Sequence, residues 1–147
     1  MPVRFFLSLF AAKLALFLIK TFSLGSGSTW PGHVAMEANP QFLKQILKRL
    51  KLTTILIAGT NGKTTTAKML STILEKTGAK TFQNEEGANL LNGITTAIIK
   101  NTNLFGHTNK DIAILEVDEG NLSLFIEEFR PDILILLNLF RDQLDRY

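Results

Sequence analysis

The sequence has no cysteine, only two histidines, and a single tryptophan and tyrosine among 147 residues. Without cysteine, disulfides and thiolate metal sites are excluded within these residues, though this says nothing firm about compartment. Neither histidine has a visible catalytic companion. His107 lies in a polar loop (GHTNK) and His33 follows Pro31-Gly32, so both read as bystanders. Charged residues are sparse at 20%, against 46% apolar, which favours a folded chain over a disordered one. There is no internal repeat, no low-complexity tract and no recognisable nucleic-acid reading module, so a nucleic-acid partner is not expected. The length supports one domain with a real core rather than two sizeable ones.

The net charge is +3, and the densest basic cluster is Lys44, Lys48, Arg49 and Lys51. Such an asymmetry suits an anionic membrane face or anionic ligands. Phe5 to Ile19 is almost wholly apolar, broken by Ser8 and Lys13 and flanked by Arg4 and Lys20. As a helix reaching Leu24 it would extend roughly 30 Å, just enough for a bilayer. A central lysine costs ~3 kcal/mol on insertion scales, which opposes a span. Three readings of residues 1–24 stay open. The leading one is a helix docked on the core or lying on a membrane surface; a true span and a secretory signal are the others. An exported chain would be parted from the nucleotide argued for below, so a cytoplasmic place at the inner membrane face is expected.

Ser23 to Thr29 (SLGSGST) is a flexible connector by composition. Trp30 beside Pro31 reads as a packing anchor. A helix is expected to open at Asn39, a good cap, with Pro40 in first position and Phe42, Leu43, Ile46, Leu47 and Leu50 on one face. From Thr53 onward apolar strands alternate with helices. The strands are TTILIAG, a short one at Lys80 to Gln83, DIAILEV and DILILLN; the helices are Lys63–Lys76, about 88–99, and Leu122–Phe129. Strands apolar on both faces, separated by helices, predict an α/β fold: a mostly parallel sheet with helices on both sides. The expected organisation is an apolar helix at 1–24, a connector and helix at 25–51, and an incomplete nucleotide-binding domain at 52–147.

Gly59-Thr60-Asn61-Gly62-Lys63-Thr64-Thr65 follows a strand and opens a helix, the context that a phosphate loop requires. Glycines allow close backbone approach, and successive N–H groups at a helix start form an anion cradle. Lys63 adds a point charge for the β- and γ-phosphates of ATP, and Thr64 offers a hydroxyl to Mg²⁺. The common pattern places a glycine where Ile57 stands, so this is a shorter variant. Glu116 closes an apolar strand, where ligands of parallel sheets gather, and is the expected Mg²⁺ carboxylate. Asp118 and Glu119 just beyond it could equally cap the next helix. Asn84, Glu85 and Glu86 fit a polar turn as well as a ligand contact. The final segment NLFRDQLDRY contains Arg141–Asp145 and Asp142–Arg146 pairs that ordinary helix ion pairing explains in part.

In this order, GTNGKTTT, ILEVDE and NLFRDQLDRY resemble the Mur ligases. TWPGHVA and NEEGANLLNGI are similar to the MurT branch, the ligase-like subunits of lipid II isoglutaminyl synthase; the resemblance covers Thr29 to Tyr147. It implies ATP-dependent amidation of the D-glutamate α-carboxylate of lipid II through an acyl phosphate. Ammonia would come from a GatD-like glutaminase partner. By position, Lys63 and Glu116 serve as the catalytic residues, Lys63 on the phosphates and Glu116 with Thr64 on Mg²⁺, and Asn89, Asn138 and Asp142 lie on the substrate side. Gln143 stands where amino-acid-adding relatives usually carry a histidine that helps bind a second metal, which disfavours such a metal here. The family implies a four-cysteine zinc ribbon only beyond these residues. Two alternatives stay open: an amino-acid-adding or folylpolyglutamate synthase-like ligase, and a non-catalytic, membrane-tethered nucleotide-binding module.

Overall fold

A computed structural model describes residues 3–23, 25–85 and 87–138. Three helices come first: α1 (Val3–Thr21), α2 (Trp30–Ala38) and α3 (Phe42–Leu50). The alternating part follows as β1 (Thr53–Ala58), α4 (Lys63–Lys76), β2 (Thr81–Gln83), α5 (Leu91–Lys100), β3 (Ile112–Val117), a 3₁₀ turn at Glu119–Asn121, α6 (Leu122–Glu128) and β4 (Ile133–Leu136). The described strands form one parallel sheet in the order β2-β3-β1-β4. The expected α/β architecture is therefore present, because nearly every β1 and β3 position is buried on one face or the other.

The pleat sorts those positions. Leu56 and Ala58 of β1, with Ala113, Leu115 and Val117 of β3, join the large core under α1, α2, α3 and α5. Ile57 and Ile114 face the other way and pack with Ala67 of α4. Successive side chains alternate, so Glu116 shares the face of Ile114 and points toward α4. Asp132 fixes the start of β4: its carboxylate accepts both the Thr54 N–H and the Thr54 hydroxyl at 2.7 Å. Those bonds hold its carboxyl below the usual carboxylate range.

The front of the chain departs from the sequence reading. A whole helix, α2, fills part of the stretch expected to be connector. Asn39 ends α2 instead of opening the next helix: its N–H donates to the Ala35 carbonyl at 2.9 Å. Its side-chain oxygen accepts the Gln41 N–H at 3.2 Å, and α3 starts at Phe42. Trp30 is not a packing anchor; it is 64% exposed, with its ring edge-on to His33 at 5.9 Å.

The apolar leader docks through one face. Phe5, Leu9 and Ala12 are fully buried, and Phe5 stacks on Phe42 with ring centroids 5.3 Å apart. Lys13 donates to the Thr102 carbonyl, and burial, aided by the charge of Lys20, lowers its affinity for a proton. Among the described residues no helix is long and apolar enough to cross a membrane.

Helix α2 sits between α1 and α5, and Gly32 sets how closely it approaches α5. A Cβ there would fall 1.9 Å from the Asn92 carbonyl oxygen, and the Gly32 N–H donates to Thr96 Oγ1 at 2.8 Å. Gly32→Ala should therefore force the helices apart and cost about 3 kcal/mol, read as a clear fall in melting temperature. An unchanged melting temperature would show that the two helices separate at no cost.

A candidate phosphate and metal site beyond strands β1 and β3

Strand β1 ends at Ala58 and the chain turns through Gly59 to Gly62 into α4. Gly59 adopts φ +147°, and a Cβ there would lie 2.8 Å from the Leu137 Cβ and 3.1 Å from the Asn138 carbonyl oxygen. Only glycine fits this turn, which is wedged against the chain leaving β4. The wedge is fastened by two backbone bonds: Thr60 N–H to the Asn138 carbonyl at 2.9 Å and Leu137 N–H to the Ala58 carbonyl at 2.8 Å. Gly62 precedes α4 with φ +85°. Lys63, Thr64 and Thr65 then occupy the first turn, where backbone N–H groups lack intrahelical acceptors and the helix dipole is positive. Asn61 and Thr65 are exposed at the mouth of this turn.

Lys63 and Glu116 lie on the same side of the sheet. Thr64 donates its hydroxyl to the Glu116 carboxylate at 2.7 Å, across a sequence separation of 52 residues. Glu116 is 6% exposed, although it lies at the end of an otherwise apolar strand. Its orientation is fixed through the backbone by Asn84: the Glu116 N–H donates to Asn84 Oδ1 at 2.8 Å, and Asn84 Nδ2 donates to the Glu116 carbonyl at 3.1 Å. The same amide reaches the Ala88 carbonyl at 2.8 Å. Asn84, for which the sequence fitted a polar turn and a ligand contact equally, thus prolongs β2–β3 pairing past Gln83. Asn84→Ala would strand buried backbone groups and should cost roughly 2–3 kcal/mol. It should also weaken any cation bound at Glu116. Retention of wild-type stability would remove this bracing role.

The two acids after β3 do not act as side-chain helix caps. Asp118 Oδ1 lies 3.3 Å from the Lys63 amine and accepts Asn89 Nδ2 at 2.5 Å. Glu119 Oε1 accepts the Thr60 hydroxyl at 3.0 Å, and its Oε2 is buried with no hydrogen-bond partner. Lys63 also donates to the Gly59 carbonyl at 2.6 Å and the Thr60 carbonyl at 3.4 Å. The structure therefore brings together Gly59, Thr60, Lys63, Thr64, Asn89, Glu116 and Asn138. It adds Asn84, Asp118 and Glu119, which the sequence had not assigned to the site. Asp142 and Gln143 lie outside the described residues, as does Glu86.

Chemically this is a helix-opening turn whose N–H groups could receive an anion, with one ammonium group, beside an oxygen-only donor pair. The Thr64 hydroxyl and Glu116 carboxylate suit a hard divalent cation. Among the described residues no cluster of three or more His, Asp or Glu could hold a metal by itself. A cation here would draw the rest of its shell from phosphate oxygens and water.

Comparisons with known proteins identify the family and the fold. Residues 57–147 match the Mur ligase middle domain. The chain is 35% identical over all 147 residues to the MurT subunit of the glutamine-hydrolysing lipid II isoglutaminyl synthase of Streptococcus pneumoniae, covering 32% of that protein. It is 33% identical over 121 residues to the corresponding Staphylococcus aureus subunit, covering 82% of this chain and 26% of that protein. A UDP-N-acetylmuramoylalanine–D-glutamate ligase of Geobacter is 33% identical over 99 residues, 67% of this chain and 20% of the relative. The chain thus spans about a third or less of the curated relatives it matches. Among solved structures, MurF ligase from Thermotoga maritima in complex with ADP superposes with a TM-score of 0.58 at 22% identity, covering 71% of this chain and 24% of that one. The turn, the helix it opens and the carboxylate-bearing strand beside it all fall within the matched span, and the chain belongs to the Mur ligase family.

Proposed function

We propose that these residues form the phosphate-binding part of an ATP-dependent carbon–nitrogen ligase of peptidoglycan synthesis. The reaction is amidation of the D-glutamate α-carboxylate of lipid II to D-isoglutamine. The observation that supports the ligase reading is the Thr64–Glu116 hydrogen bond beside Lys63: an oxygen pair suited to a hard cation next to an ammonium suited to phosphate. The amidating specificity rests on the likeness to two MurT subunits, each named as part of a glutamine-hydrolysing synthase.

In this reaction a substrate carboxylate oxygen attacks the γ-phosphorus of ATP and ADP leaves, giving an acyl phosphate. Ammonia then attacks the acyl carbon, phosphate departs and the amide nitrogen loses a proton. Repulsion between two anions is the first obstacle. Bound Mg²⁺ would lower it by neutralising β- and γ-phosphate charge. Thr64 and Glu116 would hold that cation. The first turn of α4 would receive the phosphates through its N–H groups, and Lys63 would exchange its Asp118 and carbonyl partners for phosphate oxygens. Asn89, which donates to Asp118, and Asn138, whose carbonyl holds the Thr60 N–H, would face the substrate by likeness to the family. The ammonia would be supplied by a GatD-like glutaminase subunit.

The test is amidation of lipid II by the full-length protein with its glutaminase partner, glutamine, ATP and Mg²⁺, read by mass spectrometry of the stem peptide. Formation of D-isoglutamine is expected, dependent on ATP. The match to the D-glutamate-adding ligase keeps a second reading in view, transfer of an amino acid rather than ammonia. ATP-dependent addition of an amino acid without glutamine would replace the amidating reading. Binding of ATP without turnover of either kind would leave only a nucleotide-binding module.

A further inference from the structure

Helix α1 buries one face and leaves the other uncovered, and the uncovered face is ordered. Val3, Leu7, Phe10, Leu14 and Phe17 recur at alternating steps of four and three and are 46–72% exposed, with Phe6 and Leu18 beside them. This row runs for roughly 20 Å at 1.5 Å per residue. No charge interrupts it. Lys13, the one charged residue in mid-helix, turns aside to the Thr102 carbonyl, and Arg4 turns to the Ala38 carbonyl at 2.9 Å. Phe105, 68% exposed on the loop before β3, extends the apolar surface past the helix. Arg49 ties the two together, lying 5.5 Å over the Phe6 ring and donating to the Phe105 carbonyl at 3.1 Å.

Charge identifies the occupant. Residues 1–51 carry seven Lys or Arg and a single acid, Glu37, whereas the remaining residues hold more acids than bases. Lys20, Lys44, Lys48 and Lys51 are exposed on the same amino-terminal portion. A second copy docked face to face would bring two basic portions together, which opposes self-association. An anionic lipid surface satisfies both properties: its acyl boundary receives Phe and Leu, and its headgroups attract the lysines. We propose that the outer face of α1, with Phe105, lies in the surface of an anionic bilayer without crossing it. This goes beyond the ligase reading and does not depend on it, since the contact needs no nucleotide.

The test is flotation of the full-length protein with phosphatidylcholine vesicles, with and without phosphatidylglycerol, in the absence of ATP. Binding is expected to the anionic vesicles and to weaken as salt rises. The double variant Phe10→Gln/Phe17→Gln should partition at least roughly tenfold less while keeping its melting temperature, since both rings are already exposed. A second variant, Lys44→Glu/Lys48→Glu, should lose the preference for anionic vesicles with the apolar row intact. Failure of the wild-type protein to float, or equal flotation by the Phe10→Gln/Phe17→Gln variant, would overturn the proposal. So would a sharp loss of stability in that variant, which would mean that another part of the chain covers the face. Conversion of a wild-type dimer to a monomer by the same substitutions would assign the face to a second copy instead.

Discussion

Lys63→Ala in the full-length protein is expected to reduce ATP-dependent turnover on the order of a thousandfold, the scale seen when one preorganised charge is removed from a transition state. The structure argues that the loss exceeds that of one cation. Asp118 lies 3.3 Å from the Lys63 amine, so alanine would leave this carboxylate facing an incoming triphosphate with its charge unbalanced. Lys63→Ala/Asp118→Asn should accordingly recover part of the nucleotide binding, though little of the turnover, a non-additivity that a double-mutant cycle resolves. Melting temperature should fall too, because alanine also removes the Asp118 ion pair and the bond to the Gly59 carbonyl, so turnover is compared well below the variant's melting temperature. Wild-type-like turnover by Lys63→Ala would remove that residue from the chemistry.

Glu116→Gln carries the second large effect. Glutamine keeps the shape and can still accept the Thr64 hydroxyl, now 2.7 Å from the carboxylate, so the local fold should survive. What it removes is the negative charge that a hard cation requires. The Mg²⁺ concentration for half-maximal turnover should rise by about tenfold or more, with recovery at high Mg²⁺. A magnesium titration identical to that of the wild type would show that Glu116 does not hold the cation.

How much of this was legible in the sequence depended on distance along the chain. The turn after β1 and α4 were readable because strand, glycines, lysine and helix are contiguous, and contiguous elements need no tertiary information. Glu116 was readable as the sole charge in an apolar strand. Asp118 and Glu119 were not, since acids between a strand and a helix fit a cap as well as a contact. Only the placement of β3 beside β1 brings them to Lys63 and Thr60. The bracing role of Asn84 was missed for the same reason, as Glu116, whose backbone it holds, lies 32 residues away. Helix α2 was not read from the sequence, and it carries Pro31 and Gly32 in its first turn. Proline is tolerated in a first turn, and the glycine answers to the carbonyl of Asn92 across the helix interface. The apolar leader showed its composition but not its division into two faces. That division arises from docking against α2 and α3.

The alternation along β3 constrains how this strand can vary in length. Glu116 meets Thr64 because it lies an even number of positions from Ile114 and Ile112, all facing α4. Deleting or inserting one residue upstream in the strand would turn the carboxylate toward the aliphatic layer of Leu56 and Val117. Catalysis and packing would then fail together. A two-residue change would keep the carboxylate facing α4 but displace it along the strand by roughly 7 Å. Single-residue indels in β3 are thus a more severe lesion than most substitutions at the same positions.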